Sequence, residues 1–167
     1  MKEEIRYTTA DSSLGLVLIA RSEQGLCTIS IGSAPAPLIA HLKSRFPRAT
    51  IREDGKQLGK LAARVVASIE DPTVGLDAPL DIRGTDFQKR VWQALRNIPA
   101  GRTVTYADLA RTLKVPHAVR AVGGACAANA LAVVIPCHRV VRSDGGLSGY
   151  RWGVERKQRL LEIEGAR

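Results

Sequence analysis

A thiol and an imidazole stand side by side in the stretch VVIPCHRVV, residues 133–141. Cys137 and His138 are the residue types of a nucleophile and its base, because an imidazole can take a thiol's proton and leave a reactive thiolate. The apolar β-branched residues around them are typical of buried strands, where an unpartnered polar group is costly. The pair is therefore either a chance combination in a core or a reactive centre. A reactive centre predicts a lowered pKa for the Cys137 thiol.

The backbone limits how this pair can cooperate. Neighbouring side chains of an extended strand point to opposite faces, so contact between Cys137 and His138 needs a bridging water or a local turn. Pro136 fixes φ and has no N–H, so we expect a buried strand over Val133–Ile135 to end there and to aim the thiol into a pocket. The loop over 142–153 contains four glycines, one tyrosine and one tryptophan, and it could form a pocket wall for a flat substrate such as a base.

Three predicted helices precede this centre. A helix over 87–97 has capping side chains directly before it, and Thr105 can cap a second helix over 106–113. A third helix follows over about 117–128 after the short turn KVP. Two helices joined by a short turn are typical of the helix-turn-helix motif, whose second helix enters a DNA groove.

The third predicted helix has a small, smooth surface. It carries no acid and one arginine, Arg120, and seven of its positions are Ala or Gly: Ala118, Ala121, Gly123, Gly124, Ala125, Ala127 and Ala128. Each glycine inside a helix costs roughly 1 kcal/mol relative to alanine, so the Gly123-Gly124 pair needs a reason. That reason is either tight packing against another element of the chain or close approach to a narrow nucleic-acid groove.

The net charge of +9 is distributed unevenly. Residues 1–80 hold 10 Lys/Arg and 9 Asp/Glu, a net of +1, whereas residues 81–167 hold 15 and 7, a net of +8. The basic C-terminal half indicates either a polyanionic partner such as nucleic acid or a solvated basic surface.

The first 80 residues predict a small α/β domain. The β-rich segments IRYTTA, LGLVLIARS and GLCTISIG favour an antiparallel meander, and apolar residues at helical spacing predict helices over 37–46 and 58–69. The segment 70–84 is rich in Pro, Gly and Asp and is interpreted as a connector with one short strand over 80–82.

We therefore expect two domains, 1–80 and 81–167. The first is an α/β domain with a small antiparallel sheet and helices. The second is mainly α and contains the helix-turn-helix and a short active-site strand.

Composition excludes several classes of protein. Three cysteines without a C-x-x-C pair argue against a disulfide framework and a cysteine-rich zinc site, so we expect no metal and no cofactor. No apolar run approaches the ~20 residues that cross a bilayer. The N-terminal residues MKEE do not begin a signal peptide, so we expect a cytoplasmic protein that contacts no membrane.

Three stretches together carry a family resemblance. IPCHRVV, the upstream RAVGGACAAN and the downstream SGYRWG resemble the O6-alkylguanine-DNA alkyltransferase family, especially the alkyltransferase half of bacterial adaptive-response proteins. The resemblance is dense over 85–165 and looser over 5–47. It implies direct-reversal DNA repair: a flipped O6-alkylguanine, with O4-alkylthymine as a second candidate, transfers its alkyl group irreversibly to a cysteine. It also implies a monomer that acts once, without cofactor, on the minor groove of double-stranded DNA, largely independently of sequence.

The resemblance also implies catalytic roles. Cys137 is the nucleophile, His138 is its base through a water, and Glu164 orients His138. Asn129 fixes the turn between the recognition helix and the active-site strand, and Tyr106 binds the flipped base and donates a proton to the departing guanine.

Further residues are implied in DNA and substrate binding. Arg120 fills the stack that the flipped base leaves, and the remaining expected DNA contacts are Thr105, Ala121, Gly123, Gly124 and Ala127. The expected substrate pocket comprises Tyr106, Val140 (through its backbone), Tyr150, Arg151 and Lys157. Some relatives carry Ser or Asn where Arg151 stands.

Two other classes of function compete with this interpretation. A DNA-binding regulator explains the charge and the helix-turn-helix, but not Cys137, His138 and Glu164 together. A Cys-His hydrolase explains the thiol and imidazole, but not the basic half or the helix-turn-helix.

Overall fold

The computed structural model describes residues 2–166, and the chain separates after Ile82 into two units, Met1–Ile82 and Arg83–Arg167. No helix within residues 2–166 is long and apolar enough to cross a membrane.

The N-terminal unit is built on one four-stranded sheet. Strands β1 (Glu4–Ser12), β2 (Gly15–Arg21) and β3 (Leu26–Gly32) form the predicted antiparallel meander. A fourth strand, β4 (Thr50–Glu53), pairs parallel with β1 and gives the order β3-β2-β1-β4. The sequence did not predict β4, because its four residues TIRE contain a single apolar side chain, Ile51.

Two helices complete the N-terminal unit, and both were predicted. Helix α1 (Pro35–Arg45) packs against β2 and β3, and helix α2 (Gly55–Glu70) packs against β1. Asp54 caps α2 by accepting a hydrogen bond from the Gln57 N–H. One core cluster between sheet and helix is formed by buried side chains: Ile5, Leu18, Ala20, Cys27, Leu42 and Phe46.

The strand predicted over 80–82 is wrong. Leu80 makes only an isolated bridge to Leu26, flanked by hydrogen bonds of the Leu26 backbone with Pro79 and Asp81. Pro79 has no N–H to extend the ladder. The Asp81 carboxylate turns to the Ser22 hydroxyl, with an O···O distance of 2.6 Å.

The C-terminal unit begins with the predicted series of helices, α3 (Asp86–Arg96), α4 (Tyr106–Thr112) and α5 (Val119–Ala127). Thr85 and Thr105 cap α3 and α4 in reciprocal capping boxes. Helix α5 begins two residues later than predicted, because the chain makes a turn at Pro116 and His117. Helices α4 and α5 pack against each other as the two helices of the predicted motif.

The region around the thiol differs from the prediction. Val133–Ile135 is not a strand but part of a tight turn, in which Val133 has φ of 71° and the Ile135 N–H bonds the Leu131 carbonyl. Cys137–Arg139 form one turn of 3₁₀ helix. The strand follows the thiol instead: β6 (Val140–Val141) pairs parallel with β5 (Val104–Thr105). Helix α6 (Val154–Ile163) closes the unit.

Trp92 ties α3 to α5. Its ring is buried, and its indole N–H donates to the Ala125 carbonyl at 2.8 Å. A Cβ placed on Gly84 would lie 2.5 Å from ring atoms Cζ3 and Cη2 of Trp92. The indole therefore requires glycine at this position, since the hydrogen bond prevents the ring from moving away cheaply.

We predict that Gly84→Ala destabilises the protein by about 1 to 3 kcal/mol, because the added methyl overpacks the anchored Trp92 ring. Urea unfolding followed by tryptophan fluorescence measures the effect. Gly75→Ala is the matched control, since a Cβ there meets nothing within 4 Å, and it should change stability by less than about 0.5 kcal/mol. Equal stability of the two variants would contradict the packing described for Trp92.

Candidate active site

The Asn129 side chain stabilises the turn that connects α5 to Cys137. It is fully buried, and its Oδ1 accepts a hydrogen bond from the Leu131 N–H at 2.9 Å. Its Nδ2 donates to the Ile135 carbonyl at 2.8 Å and faces the Cys137 Sγ at 3.4 Å. One amide therefore holds both ends of the turn and contacts the sulfur. Asn129 was predicted to fix a turn between the recognition helix and the active-site strand; it lies at such a turn, but residues 133–135 after it are not a strand.

The Cys137 side chain lies in the wall of a cavity of about 370 Å³. The cavity walls come from α4, α5, the 3₁₀ turn and the glycine-rich loop, through Tyr106, Gly123, Cys126, Ala127, Cys137, Gly149, Tyr150 and Arg151. The Tyr150 ring meets Trp152 edge-on, with centroids 5.2 Å apart, and this contact fixes the loop wall. Aromatic rings and small residues around a thiol make a cavity suited to a flat, apolar ring.

Burial raises the pKa of the Cys137 thiol, while the Asn129 hydrogen bond and the charge of Lys157 act in the opposite direction. The predicted lowering of this pKa is wrong in its direction, because the sequence did not show how completely the thiol is buried. Cys126 is a second thiol in the wall, and burial raises its pKa to about 12. The thiol is thus the resting form of Cys137, and its reaction needs a base.

His138 supplies an imidazole that burial keeps neutral. Its side chain is fully buried, and burial lowers its pKa although Glu164 favours the charged form. The ring Nε2 lies 2.9 Å from the Glu164 Oε2. A carboxylate only accepts hydrogen bonds, so Nε2 carries the proton and Nδ1 presents a lone pair. Within residues 2–166, Nδ1 is a buried atom without a hydrogen-bond partner, so it is free to accept a proton.

Glu164 is held as a carboxylate by two partners. Burial favours its neutral acid, but hydrogen bonds and charge from His138 and Arg139 outweigh burial and lower its pKa to about 2. Arg139 donates from Nε to Oε1 at 3.0 Å and from Nη2 to Oε2 at 2.7 Å, and its Nη1 donates to the Ile98 carbonyl. These two hydrogen bonds from Arg139 hold the Glu164 carboxylate in position. The carboxylate in turn keeps the proton of His138 on Nε2.

Tyr106 faces the cavity from the first turn of α4, and its hydroxyl lies 2.6 Å from the Ser148 Oγ. The Lys157 ammonium donates to the same oxygen at 3.2 Å. Lys157 is therefore near the site, as predicted, but it reaches the cavity through Ser148. Burial raises the pKa of Tyr106, so its hydroxyl keeps its proton.

The outer face of α5 is smooth and exposed. Arg120, Ala121, Gly124 and Ala127 are exposed, and Gly123 is partly so. A Cβ on Gly124 would meet nothing within 4 Å, and one on Gly123 would only touch the Tyr106 ring at 3.9 Å. Packing inside the chain therefore does not require this glycine pair. Close approach of this helix to a nucleic-acid groove stays a prediction.

Sequence reasoning and structure differ at a few site residues. Val140 was predicted in the pocket, but it is buried in β6. Among the described residues it does not line the cavity that contains Cys137. Its N–H donates to the Cys137 carbonyl. Arg139, Cys126 and Ser148 were not predicted. Arg139 lies beside the predicted pair in PCHR, but nothing in the sequence indicates that its side chain turns toward residue 164.

Comparison with known proteins assigns both units to one family. The DNA-binding domain of 6-O-methylguanine DNA methyltransferase matches residues 86–166, and the ribonuclease-like domain of the same proteins matches residues 5–82. The chain belongs to the 6-O-methylguanine DNA methyltransferase family. The sequence-based recognition of the O6-alkylguanine-DNA alkyltransferase family is thus confirmed.

Relatives of this methyltransferase family match most of the chain. The bifunctional transcriptional activator/DNA repair enzyme Ada of Escherichia coli is 52% identical over 96% of the chain, which spans 45% of Ada. The inducible methylated-DNA–protein-cysteine methyltransferase of Bacillus subtilis is 39% identical over 87% of the chain and 82% of its own length. The crystal structure of Mycobacterium tuberculosis OGT in complex with DNA has a TM-score of 0.79 at 35% identity and covers 96% of this chain and 92% of its own.

The Glu164 carboxylate should make this methyltransferase-family protein sensitive to acid. Because its pKa is about 2 when folded against an ordinary 4.5, its contribution to stability is complete above about pH 5 and is lost as the pH falls toward 2. The lowered pKa of His138 acts in the same direction below its ordinary value of 6.5. We predict that Glu164→Gln lowers stability at pH 7 by roughly 2 kcal/mol and flattens the loss of stability between about pH 5 and 3.

Urea unfolding at several pH values checks this prediction. Glu162→Gln is the control, because Glu162 lies in the last turn of α6, near its C-cap Glu164, but makes an exposed ion pair with Arg159, and such pairs contribute little. Its stability should follow the wild type at every pH. A Glu164→Gln variant that loses stability with acid as steeply as the wild type would contradict the arrangement.

Proposed function

We propose that the protein repairs alkylated DNA by direct reversal. Cys137 takes the alkyl group from O6-alkylguanine in duplex DNA, with O4-alkylthymine as a second candidate substrate, after the base is flipped out through the minor groove. The observation that carries this proposal is the placing of the Cys137 thiol in a cavity wall shared with α5, whose outer face is exposed and free of bulk. A reaction buried in the base stack needs both a pocket and such a face.

The names of the relatives support DNA as the partner. Ada is named as a DNA repair enzyme, the Bacillus subtilis relative as a methylated-DNA–protein-cysteine methyltransferase, and the Mycobacterium tuberculosis relative was crystallised with DNA. A DNA substrate and a reduced nucleophile are both found in the cytoplasm, where we propose that the protein acts. We propose that it works as a monomer and without a cofactor.

The thiol is activated by proton transfer to His138. The proton leaves the Cys137 sulfur, passes through a water and arrives at the His138 Nδ1, which has no hydrogen-bond partner among residues 2–166. Glu164 stabilises the imidazolium that forms, because its carboxylate accepts from Nε2. The Asn129 Nδ2 lies 3.4 Å from the sulfur and stabilises negative charge that develops there.

Transfer exchanges one bond for another. The sulfur attacks the alkyl carbon, a C–S bond forms, and the bond between carbon and O6 breaks with its electron pair left on guanine. Tyr106 donates a proton to the departing purine. The product is a thioether, which water does not cleave, so each protein molecule reacts once and the reaction is stoichiometric.

DNA binding uses the face of α5 and the charge of the C-terminal half. Arg120 is exposed near the N-terminus of α5, and in this proposal it fills the gap left by the flipped base. Ala121, Gly123, Gly124 and Ala127 let the helix approach a narrow groove, and the exposed basic residues contact phosphates, so binding is largely independent of sequence. Thr105 caps α4 beside this surface.

We predict that Cys137→Ser abolishes removal of a methyl group from an O6-methylguanine duplex while leaving DNA affinity within about twofold, because a serine hydroxyl is a far weaker nucleophile than a thiolate. Digestion of the DNA and chromatography of its bases measures removal. Cys27→Ser is the control, since Cys27 is a buried cysteine of the N-terminal unit and is in no disulfide, and it should retain transfer.

The same experiment separates the competing functions. A wild type that binds DNA but removes no methyl group would favour a DNA-binding regulator, and turnover of an ester or amide would favour a Cys-His hydrolase. Methyl removal by Cys137→Ser would show that another residue is the nucleophile.

Arg120→Ala should slow duplex repair by roughly tenfold or more, because base extrusion costs a few kcal/mol and the inserted side chain offsets part of that cost. Reaction with free O6-benzylguanine, which needs no extrusion, should change little. Single-turnover rates on the two substrates at saturating protein measure the difference. Arg96→Ala removes an equally exposed positive charge from α3 and is the control; it should affect neither rate strongly. Equal losses for Arg120→Ala on duplex and free base would contradict this role of Arg120.

A further inference from the structure

A buried lysine without an acidic partner stands behind the cavity. Lys157 is 1% exposed, and within residues 2–166 its ammonium makes one hydrogen bond, to Ser148 Oγ, and no ion pair. A buried charge normally has a counter-ion, because its desolvation is costly. In the site described above, Lys157 acts only as a nearby positive charge that favours the Cys137 thiolate, so its hydrogen bond to Ser148 needs a separate explanation.

The hydrogen bond from Lys157 leaves the Ser148 hydroxyl proton available for Tyr106. An ammonium group only donates, so the Ser148 oxygen accepts from Lys157 and the Ser148 hydroxyl is left to donate. Its neighbour at 2.6 Å is the Tyr106 hydroxyl oxygen. In the arrangement in which Ser148 donates across this distance, Tyr106 accepts, and its own proton is directed away from Ser148 and is free for a group in the cavity.

We propose that Ser148 and Lys157 are positioning residues that act through Tyr106: they direct its hydroxyl proton at the departing guanine and replace that proton as it leaves. This inference rests on the proposed alkyl transfer and deepens it. When the bond between carbon and O6 breaks, a purine ring nitrogen takes the Tyr106 proton. The Ser148 proton moves to the Tyr106 oxygen, and a Lys157 proton moves to Ser148.

The number of protons is conserved in this series of transfers. The thiol proton ends on His138, one Lys157 proton ends on guanine through Ser148 and Tyr106, and Lys157 ends as a neutral amine. Both changes are reversed by exchange with solvent after guanine leaves. Two features of the site favour this route. Burial lowers the pKa of Lys157, which makes its proton easier to give, and burial raises the pKa of Tyr106, which makes a lasting tyrosinate costly.

A double-mutant cycle tests whether Ser148 and Lys157 act through Tyr106. Single-turnover rates of transfer from an O6-methylguanine duplex at saturating protein are measured for Ser148→Ala and Lys157→Met, each with Tyr106 and with Tyr106→Phe. With Tyr106 present, each variant should slow transfer by about tenfold or more, as expected for weakened proton donation. In the Tyr106→Phe background neither should slow it further by more than about twofold.

Two further variants guard against a loss of fold. Ser148→Thr keeps the hydroxyl and should retain most of the rate, which a general disturbance of the loop would not allow. Ser143→Ala changes an exposed serine of the same loop and should match the wild type. DNA affinity should be unchanged in every variant, because none of them alters the face of α5.

Three results would overturn the relay. Losses of equal size in the Tyr106 and Tyr106→Phe backgrounds would assign Ser148 and Lys157 a structural role only. Full activity of Ser148→Ala would remove Ser148 from the reaction. Ser148→Thr as slow as Ser148→Ala would show that the hydroxyl is not what matters. A wild type that transfers no alkyl group would instead overturn the proposed function itself.

Discussion

The site depends on one buried amide. Asn129 satisfies the Leu131 N–H and the Ile135 carbonyl at the two ends of a turn, and the same side chain reaches the Cys137 sulfur. The backbone carbonyl of Asn129 accepts from Arg151 of the glycine-rich loop at 2.9 Å. The end of α5, the thiol and the loop wall are therefore held by one residue. An apolar replacement would leave several buried backbone groups unpaired at once, which is the costly kind of substitution.

Most of the fold could be predicted from local patterns. The meander, helices α1 and α2, and the three helices α3 to α5 follow from alternating or helical spacing of apolar residues and from capping threonines such as Thr85 and Thr105. The central residues of the site could also be named, because Cys137, His138, Asn129 and Glu164 stand in recognisable motifs. The structure places Glu164 against His138, the position that the resemblance implied, and it also places Asn129 against Cys137, which was not predicted.

The remaining features arise from contacts between residues distant in sequence. Val133–Ile135 has the β-branched composition of a strand, but the Asn129 hydrogen bonds hold it in a turn. The Cys137 pKa changes in the unexpected direction because the fold buries the thiol, and burial cannot be read from a motif. Arg139 and Ser148 belong to the site only because α6 brings Glu164 and Lys157 to them. None of these partners is marked by local spacing.

The central claim is that Cys137 accepts an alkyl group once and permanently. The most direct measurement is intact-protein and peptide mass spectrometry after incubation with excess duplex that carries one O6-methylguanine. The account predicts a gain of one methyl group, about 14 Da, which stops at one equivalent of protein and lies on the peptide that contains Cys137. Methyl removal that continues past one equivalent of protein, or a methyl group found on Cys126, would contradict it.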